Sequence, residues 1–176
     1  MFRGSFPVFV ALIVFGAVAH AQLSIYGTAA VSDYGHAFNS GSLIIYSGSA
    51  GYGGGVSYMF PSDRRLRFGV DYRGYVTPAT HGGNTGVLSF RVALIPRRAP
   101  FMPYFVIGPG YVSAKTPGVV GSQTLNMAAL GVGGGLDIRM SRRVDLRAIE
   151  AESAEGIYSS MKAGTASLGG GVVFHF

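Results

Sequence analysis

The chain has 176 residues, a formal net charge of +6, 12% charged residues, 28 glycines and no cysteine. The missing cysteine excludes disulfides and thiolate metal sites, and the charge content is about half the roughly 25% of a typical soluble domain. With a mean hydropathy of +0.35, the chain has too few charges to clothe a water-facing exterior, and lipid is the simplest cover.

Residues 1–5 carry one cation, Arg3, residues 6–18 are apolar, and Ala19-His20-Ala21 is a small-x-small cleavage signal. This pattern predicts a cleavable secretory signal peptide over residues 1–21. The apolar run is too short for a spanning helix, which needs about 20 residues. A single domain is expected over residues 22–176, with no transmembrane helix in it. Alternating polarity separated by turn residues predicts eight strands there. The first two cover 22–34 and 46–60. In the third, 65–77, Leu66, Phe68, Val70 and Tyr72 share one face, and Arg67, Asp71 and Arg73 the other. In the fourth, 85–95, Leu88, Phe90, Val92 and Leu94 stand opposite Ser89 and Arg91. Pro109 interrupts the fifth, 102–113, and leaves its faces unassigned. The sixth, 125–140, sets Leu130, Val132, Leu136 and Ile138 against Gly131, Gly133, Gly135, Asp137 and Arg139. The seventh starts at Val144, with Val144, Leu146 and Ala148 opposite Asp145 and Arg147. Its phase is lost over Ile149-Glu150-Ala151-Glu152, where a bulge is expected. The eighth, 161–176, places Leu168, Gly170, Val172 and Phe174 on one face up to the final Phe176.

Ten-residue alternating segments joined by turns are the signature of an all-β, eight-stranded antiparallel up-and-down transmembrane β-barrel. An even strand count puts both chain ends on the periplasmic side. The connections 35–45, 78–84, 114–124 and 153–160 are then outside, and shorter turns near 61–64, 96–101 and 141–143 inside. Each inner turn carries an arginine pair: Arg64-Arg65, Arg97-Arg98 and Arg142-Arg143. Anionic lipid headgroups would attract them at about 1 kcal/mol per cation, and they also keep strand ends in water. Aromatic residues are expected in two interfacial bands. The inner band holds Tyr58, Phe60, Phe68, Phe101, Tyr104, Phe174 and Phe176, and the outer band Tyr34, Tyr46, Tyr72, Tyr75, Tyr111 and Tyr158.

With the apolar faces outward, the lumen receives Arg67, Asp71, Arg73, Arg91, Asp137, Arg139, Asp145 and Arg147, with Glu150 or Glu152 as further members. An eight-stranded interior is just wide enough for side chains to fill, and buried ions must be paired. An Arg–carboxylate network closing the lumen is therefore expected. Gly51, Gly53, Gly55, Gly131, Gly133, Gly135, Gly169 and Gly171 are expected to face the same interior and make room for arginine stems. A gated, narrow, cation-rich conduit is the functional alternative.

The signal peptide, the strand count, lumen residues such as Arg67 and Asp71, and the final Val172-Val173-Phe174-His175-Phe176 resemble the small eight-stranded bacterial outer-membrane barrels, the OmpA-type transmembrane domain and the opacity-type surface proteins. The resemblance implies an outer-membrane location, with Val172, Phe174 and Phe176 as the signal read by the barrel assembly machinery during insertion. It stops at the last strand, so it implies no peptidoglycan-binding domain and no wall anchoring. The outer loops are shorter than those of opacity adhesins.

Some barrels of this class modify lipid A with a Ser, a His and an acidic residue at the outer rim. Here His36 and His81 fall in different outer loops, with Ser32, Asp33, Glu150, Glu152 and Glu155 near that rim, and His175 at the opposite end. These spacings do not establish a base oriented between nucleophile and acid. No catalytic residue, cofactor or metal is expected. Gly131–Gly135 opens no helix and is not a phosphate loop. The cations form no basic stripe, which argues against nucleic acid. The expected function is an integral outer-membrane barrel with a structural or surface-interaction role, with outer-membrane lipid as its surroundings. The alternatives are a narrow pore or transporter for small solutes, a lipid A-modifying enzyme, and a soluble ligand-binding barrel. The last would leave Arg67, Asp71, Arg73 and Arg91 to cover the outside alone.

Overall fold

The computed structural model of the protein describes residues 22–34, 49–62, 64–78, 82–96, 99–117, 122–157 and 164–176. The expected signal peptide, residues 1–21, lies outside them. Eight strands follow in order: β1 (Gln22–Tyr34), β2 (Ser49–Met59), β3 (Leu66–Val76), β4 (Gly83–Leu94), β5 (Phe101–Pro117), β6 (Ser122–Arg139), β7 (Val144–Gly156) and β8 (Gly164–His175). Each pairs antiparallel with the next, and β8 closes on β1 to complete the barrel. Closure leaves no unpaired sheet edge, the condition for a strand structure to lie in hydrocarbon.

The alternation has the sense of a membrane barrel. On β3, Leu66, Phe68, Val70 and Tyr72 are exposed while Asp71, Arg73 and Tyr75 are buried. On β4, Leu88, Phe90 and Leu94 are exposed while Val87, Ser89 and Arg91 are buried. Outward positions on the other strands include Ile25, Val56, Phe105, Ile107, Leu130, Leu146, Val172 and Phe174. Phe68 and Phe90 stack across the β3–β4 pair with centroids 5.8 Å apart. β-branched and aromatic side chains suit a pleated surface, and here that surface faces away from the axis.

Pro109 does not break β5. Met102, Tyr104, Val106, Val112 and Ala114 are buried, and Phe101, Phe105, Ile107 and Tyr111 are exposed, so both faces are clear. The β4–β5 ladder passes from Val87↔Gly110 to Phe90↔Ile107. The proline thus sits where that ladder is interrupted, and its missing N–H costs no bond there.

β7 carries a bulge at Ala148. Pairing with β6 passes from Leu136↔Ile149 to Asp137↔Arg147, and pairing with β8 from Arg147↔Gly171 to Glu150↔Gly169. Ala148 and Ile149 are consecutive outward residues, Ile149 being 47% exposed. The extra residue resets the period of two. Asp145 and Arg147 before it, and Glu150 and Glu152 after it, all enter the lumen.

The first described residue, Gln22, and the last, Phe176, lie at one end of the barrel, the terminal end, as the pairing Ser24↔His175 requires. The other end is the loop end. β5 and β6 pair as far as Pro117↔Ser122, so their connection at the loop end shrinks from the expected 114–124 to 118–121. It is as short as the terminal-end turn 140–143, and the expected contrast in length fails for this hairpin.

The aromatic bands need two corrections. Tyr75 and Tyr104 point inward, 4% and 6% exposed. Both share the parity of their strands' lumen residues, which decides their direction. Phe60, Phe68, Phe101, Phe174 and Phe176 at the terminal end, and Tyr72 and Tyr111 toward the loop end, are exposed. Tyr46, Tyr158 and the side chain of Tyr34 lie outside the described residues.

Candidate functional site: the barrel lumen

Arg73 is the centre of a buried ion cluster. Its Nε donates to Asp71 Oδ1 at 2.7 Å, and its Nη1 donates to Glu150 and, at 3.2 Å, to Glu152 Oε2. Arg91 donates to Asp71 Oδ2 at 3.3 Å and to Asp137 Oδ2 at 2.8 Å. Arg147 donates to Asp137 Oδ1 at 2.9 Å and to Glu150 Oε1 at 3.2 Å. Three tyrosine hydroxyls supply further donors: Tyr26 to Asp71 at 2.9 Å, Tyr75 to Glu150 at 2.7 Å and Tyr104 to Glu150 at 2.8 Å. The guanidinium carbons of Arg91 and Arg147 lie 4.0 Å from the Tyr104 centroid and 4.1 Å from the Tyr26 centroid. These rings stack on the cations while their hydroxyls serve the anions.

The cluster draws on β1, β3, β4, β5, β6 and β7. β2 and β8 bring glycines to the interior instead, through the pairings Tyr26↔Gly55, Thr28↔Gly53, Thr28↔Gly171 and Ala30↔Gly169. The expected reason for the glycines needs correcting. A Cβ on Gly55 would lie 2.5 Å from Tyr26 Cζ, one on Gly53 2.8 Å from Tyr75 Cε1, and one on Gly135 2.6 Å from Tyr104 Oη. Tyrosine rings from neighbouring strands, rather than arginine stems from the far wall, occupy these spaces. Glycine is needed there for that close approach.

Of the expected lumen residues, Asp71, Arg73, Arg91, Asp137 and Arg147 meet in this cluster. Glu150 is its main acceptor and Glu152 a second. Arg139 and Asp145 lie apart from it, toward the terminal end, and Arg67 lines the cavity there together with Arg91 and Asp137. Arg67 is half-buried, and Arg139 is exposed and donates to Met102 Sδ at 3.2 Å. The cluster thus joins Arg73, Arg91 and Arg147 to Asp71, Asp137, Glu150 and Glu152. Toward the loop end, Val87, Val112, Ala114, Ala129 and Ala154 form a buried apolar cluster on β4–β7, and Ser32, Thr77, Thr85 and Thr165 are buried at the same end.

At the terminal end, His175 bridges the closing seam. Its Nδ1 lies 2.7 Å from Ser24 Oγ and its Nε2 2.6 Å from Asp145 Oδ2. The order serine–imidazole–carboxylate resembles a nucleophilic triad, but acyl transfer also needs donors aimed at an oxyanion. Ser24 sits inside a ladder paired on both sides, to Ser57 and His175, where backbone N–H groups serve strand pairing. The three side chains instead tie β1, β7 and β8 together. The outer-rim residues weighed for lipid A chemistry do not assemble among the described residues. Glu150 and Glu152 are deep in the ion cluster, Ser32 is buried, and Glu155 is exposed. His36, His81 and the Asp33 side chain lie outside the described residues.

Arg64, Arg65, Arg142 and Arg143 are exposed at the terminal end, and Arg97 and Arg98 lie outside the described residues. Val172, Phe174 and Phe176 are exposed, and the Phe176 N–H donates to the Leu23 carbonyl at 3.0 Å. Among the described residues, no group of three His, Asp or Glu side chains is placed to hold a metal.

No protein-family model and no curated protein matches the sequence. Solved structures do match. Neisserial surface protein A aligns with a TM-score of 0.55 at 16% identity, over 90% of this chain and 98% of that one. The N-terminal β-barrel domain of Pseudomonas aeruginosa OprF aligns with a TM-score of 0.54 at 16% identity, over 87% and 97%. Ail, the attachment invasion locus protein of Yersinia pestis, aligns with a TM-score of 0.52 at 15% identity, over 89% and 97%. The chain has the fold of the small outer-membrane β-barrels. At these identities the fold is what is shared. The ion cluster and the His175 bridge are features of this chain's own residues.

Proposed function

We propose that this chain is an integral protein of the bacterial outer membrane, with a closed lumen and a structural or surface-interaction role. The buried ion cluster carries the reading. The Arg73-centred cluster joins side chains from six strands across the axis. An ion crossing this interior would have to break buried, charge-assisted bonds.

The terminal end faces the periplasm in this reading. The arginine pairs Arg64-Arg65, Arg97-Arg98 and Arg142-Arg143 then meet anionic headgroups of the inner leaflet. Val172, Phe174 and Phe176 form the outward stripe read by the assembly machinery, and residues 1–21 direct export. Lys115 and Glu155 are exposed near the loop end, so charged side chains stand at both ends of the apolar outer face. Surface interaction falls to the loop end, and neither catalysis nor a bound cofactor is part of the proposal.

Planar-bilayer recording tests the closed lumen. The purified protein should insert without discrete conductance steps. Reproducible single-channel steps would replace this reading with that of a narrow pore.

A further inference from the structure

β6 and β7 bring two opposite charges to paired positions without joining them. Arg139 and Asp145 are cross-strand partners, a relation that sets Cβ atoms about 4.5–5.5 Å apart. Arg139 nevertheless donates to Met102 Sδ at 3.2 Å, a weak acceptor. Asp145 is engaged by His175 through Oδ2, and its Oδ1 is buried with no hydrogen-bond partner among the described residues. Arg91 Nε is in the same state. All five residues line one cavity of about 320 Å³ between the ion cluster and the terminal end. Buried polar atoms in folded proteins are as a rule hydrogen-bonded. Here a carboxylate oxygen and guanidinium donors flank one space with bonding capacity unspent.

We propose that this cavity binds a single hydroxylated ring, a monosaccharide or cyclic polyol, held between Arg139 and Asp145. Each hydroxyl is donor and acceptor at once, so two neighbouring hydroxyls serve both sides. One donates to Asp145 Oδ1, and the other accepts from Arg139. A simple cation or anion would serve only one side. Ser24 and Ser57 bring further hydroxyls to the lining, and Met59 and Val173 bring apolar surface for the C–H face of the ring. The ligand is neutral, so recognition turns on matched donors and acceptors and not on the net charge around the cavity. The volume is at the small end of ligand sites, which fits one ring rather than a chain. Only entry from the periplasm rests on the orientation proposed above.

The test is titration with D-glucose of the protein purified from membranes in lauryldimethylamine oxide, a detergent without a sugar headgroup. In detergent, solute reaches the barrel from either end, so the outcome is independent of orientation in the membrane and of the conductance test. Saturation-transfer NMR of the sugar should show saturable binding, and the His175 ring resonances should shift in step, because His175 holds the other oxygen of Asp145. Binding should weaken roughly tenfold in Arg139→Gln and in Asp145→Asn, the effect of losing a charge-assisted contact. It should stay unchanged in Arg143→Gln, since Arg143 is outside the lining. Heat-modifiable gel migration verifies that each variant is folded. Arg139 is exposed, so Arg139→Gln decides the matter even where Asp145→Asn does not fold. The proposal is overturned by absence of saturable binding, by an unmoved His175 ring, or by Arg139→Gln binding as tightly as the unsubstituted protein. Cyclohexanol binding as tightly as D-glucose would also overturn it, by marking apolar filling of the cavity.

Discussion

Replacing Arg73 with methionine is expected to destabilise the folded barrel by about 3–5 kcal/mol, the cost of breaking a buried ion pair by removing one partner. Arg73 and Asp71 are both 0% exposed. The substitution leaves Asp71, Glu150 and Glu152 without their shared cation, with Arg91 and Arg147 keeping only their existing contacts. Urea unfolding of the protein refolded into phosphatidylcholine bilayers measures the loss. Adding Glu150→Gln and Glu152→Gln to the variant should restore a large part of it, because two of the stranded charges are then gone. This coupling is the signature of a network. A loss below about 1 kcal/mol, the scale of an exposed pair, would mean that water, rather than Arg73, satisfies these carboxylates.

Deleting Ala148 should have an even larger effect and abolish the folded barrel. Without the bulge, β7 keeps one phase from Val144 to Gly156. Either Glu150 and Glu152 turn toward lipid while Ile149 enters the cluster, or Asp145 and Arg147 turn outward. An arginine on the lipid face near the midplane costs about 2–4 kcal/mol, and a carboxylate less. In the first case the donors Arg73, Arg147, Tyr75 and Tyr104 also lose Glu150. The combined loss is comparable with the roughly 5–15 kcal/mol stability of an ordinary fold. Heat-modifiable migration after refolding should show no folded band for the deletion and a normal one for Ala148→Gly, which keeps the residue count. A folded band for the deletion would show that the bulge does not set the direction of β7.

The outward faces of β3 and β4 were legible because charged and apolar residues alternate there without interruption, as in Leu66-Arg67-Phe68 and Phe90-Arg91-Val92. β5 was not, since Pro109 reads as a breaker until the ladder interruption beside it is seen. Tyr75 and Tyr104 were misplaced because a tyrosine satisfies an interface and a polar lumen equally well. Parity with Arg73 for the one, and with Met102 and Val106 for the other, settles them. The role of Glu150 depended on the position of the bulge, and Ala148 and Ile149 both suit lipid, so alternation alone does not place it. The bridge from Ser24 through His175 to Asp145 joins residues 151 positions apart. Nothing local announces it, because it forms only when β8 closes on β1. The extra height of the β5–β6 hairpin was hidden by polar residues near its tip, which read as a loop.

The direction of the side chains relative to lipid is the claim on which the rest depends. Nitroxide labels at Phe90 and Ile107, one at a time in the protein reconstituted in bilayers, test it most directly through relaxation by oxygen and by a water-soluble nickel chelate. Both positions are exposed on the outer face of the barrel. The account predicts strong oxygen relaxation and little nickel relaxation at both. Strong nickel relaxation at both would place these side chains in water and contradict it.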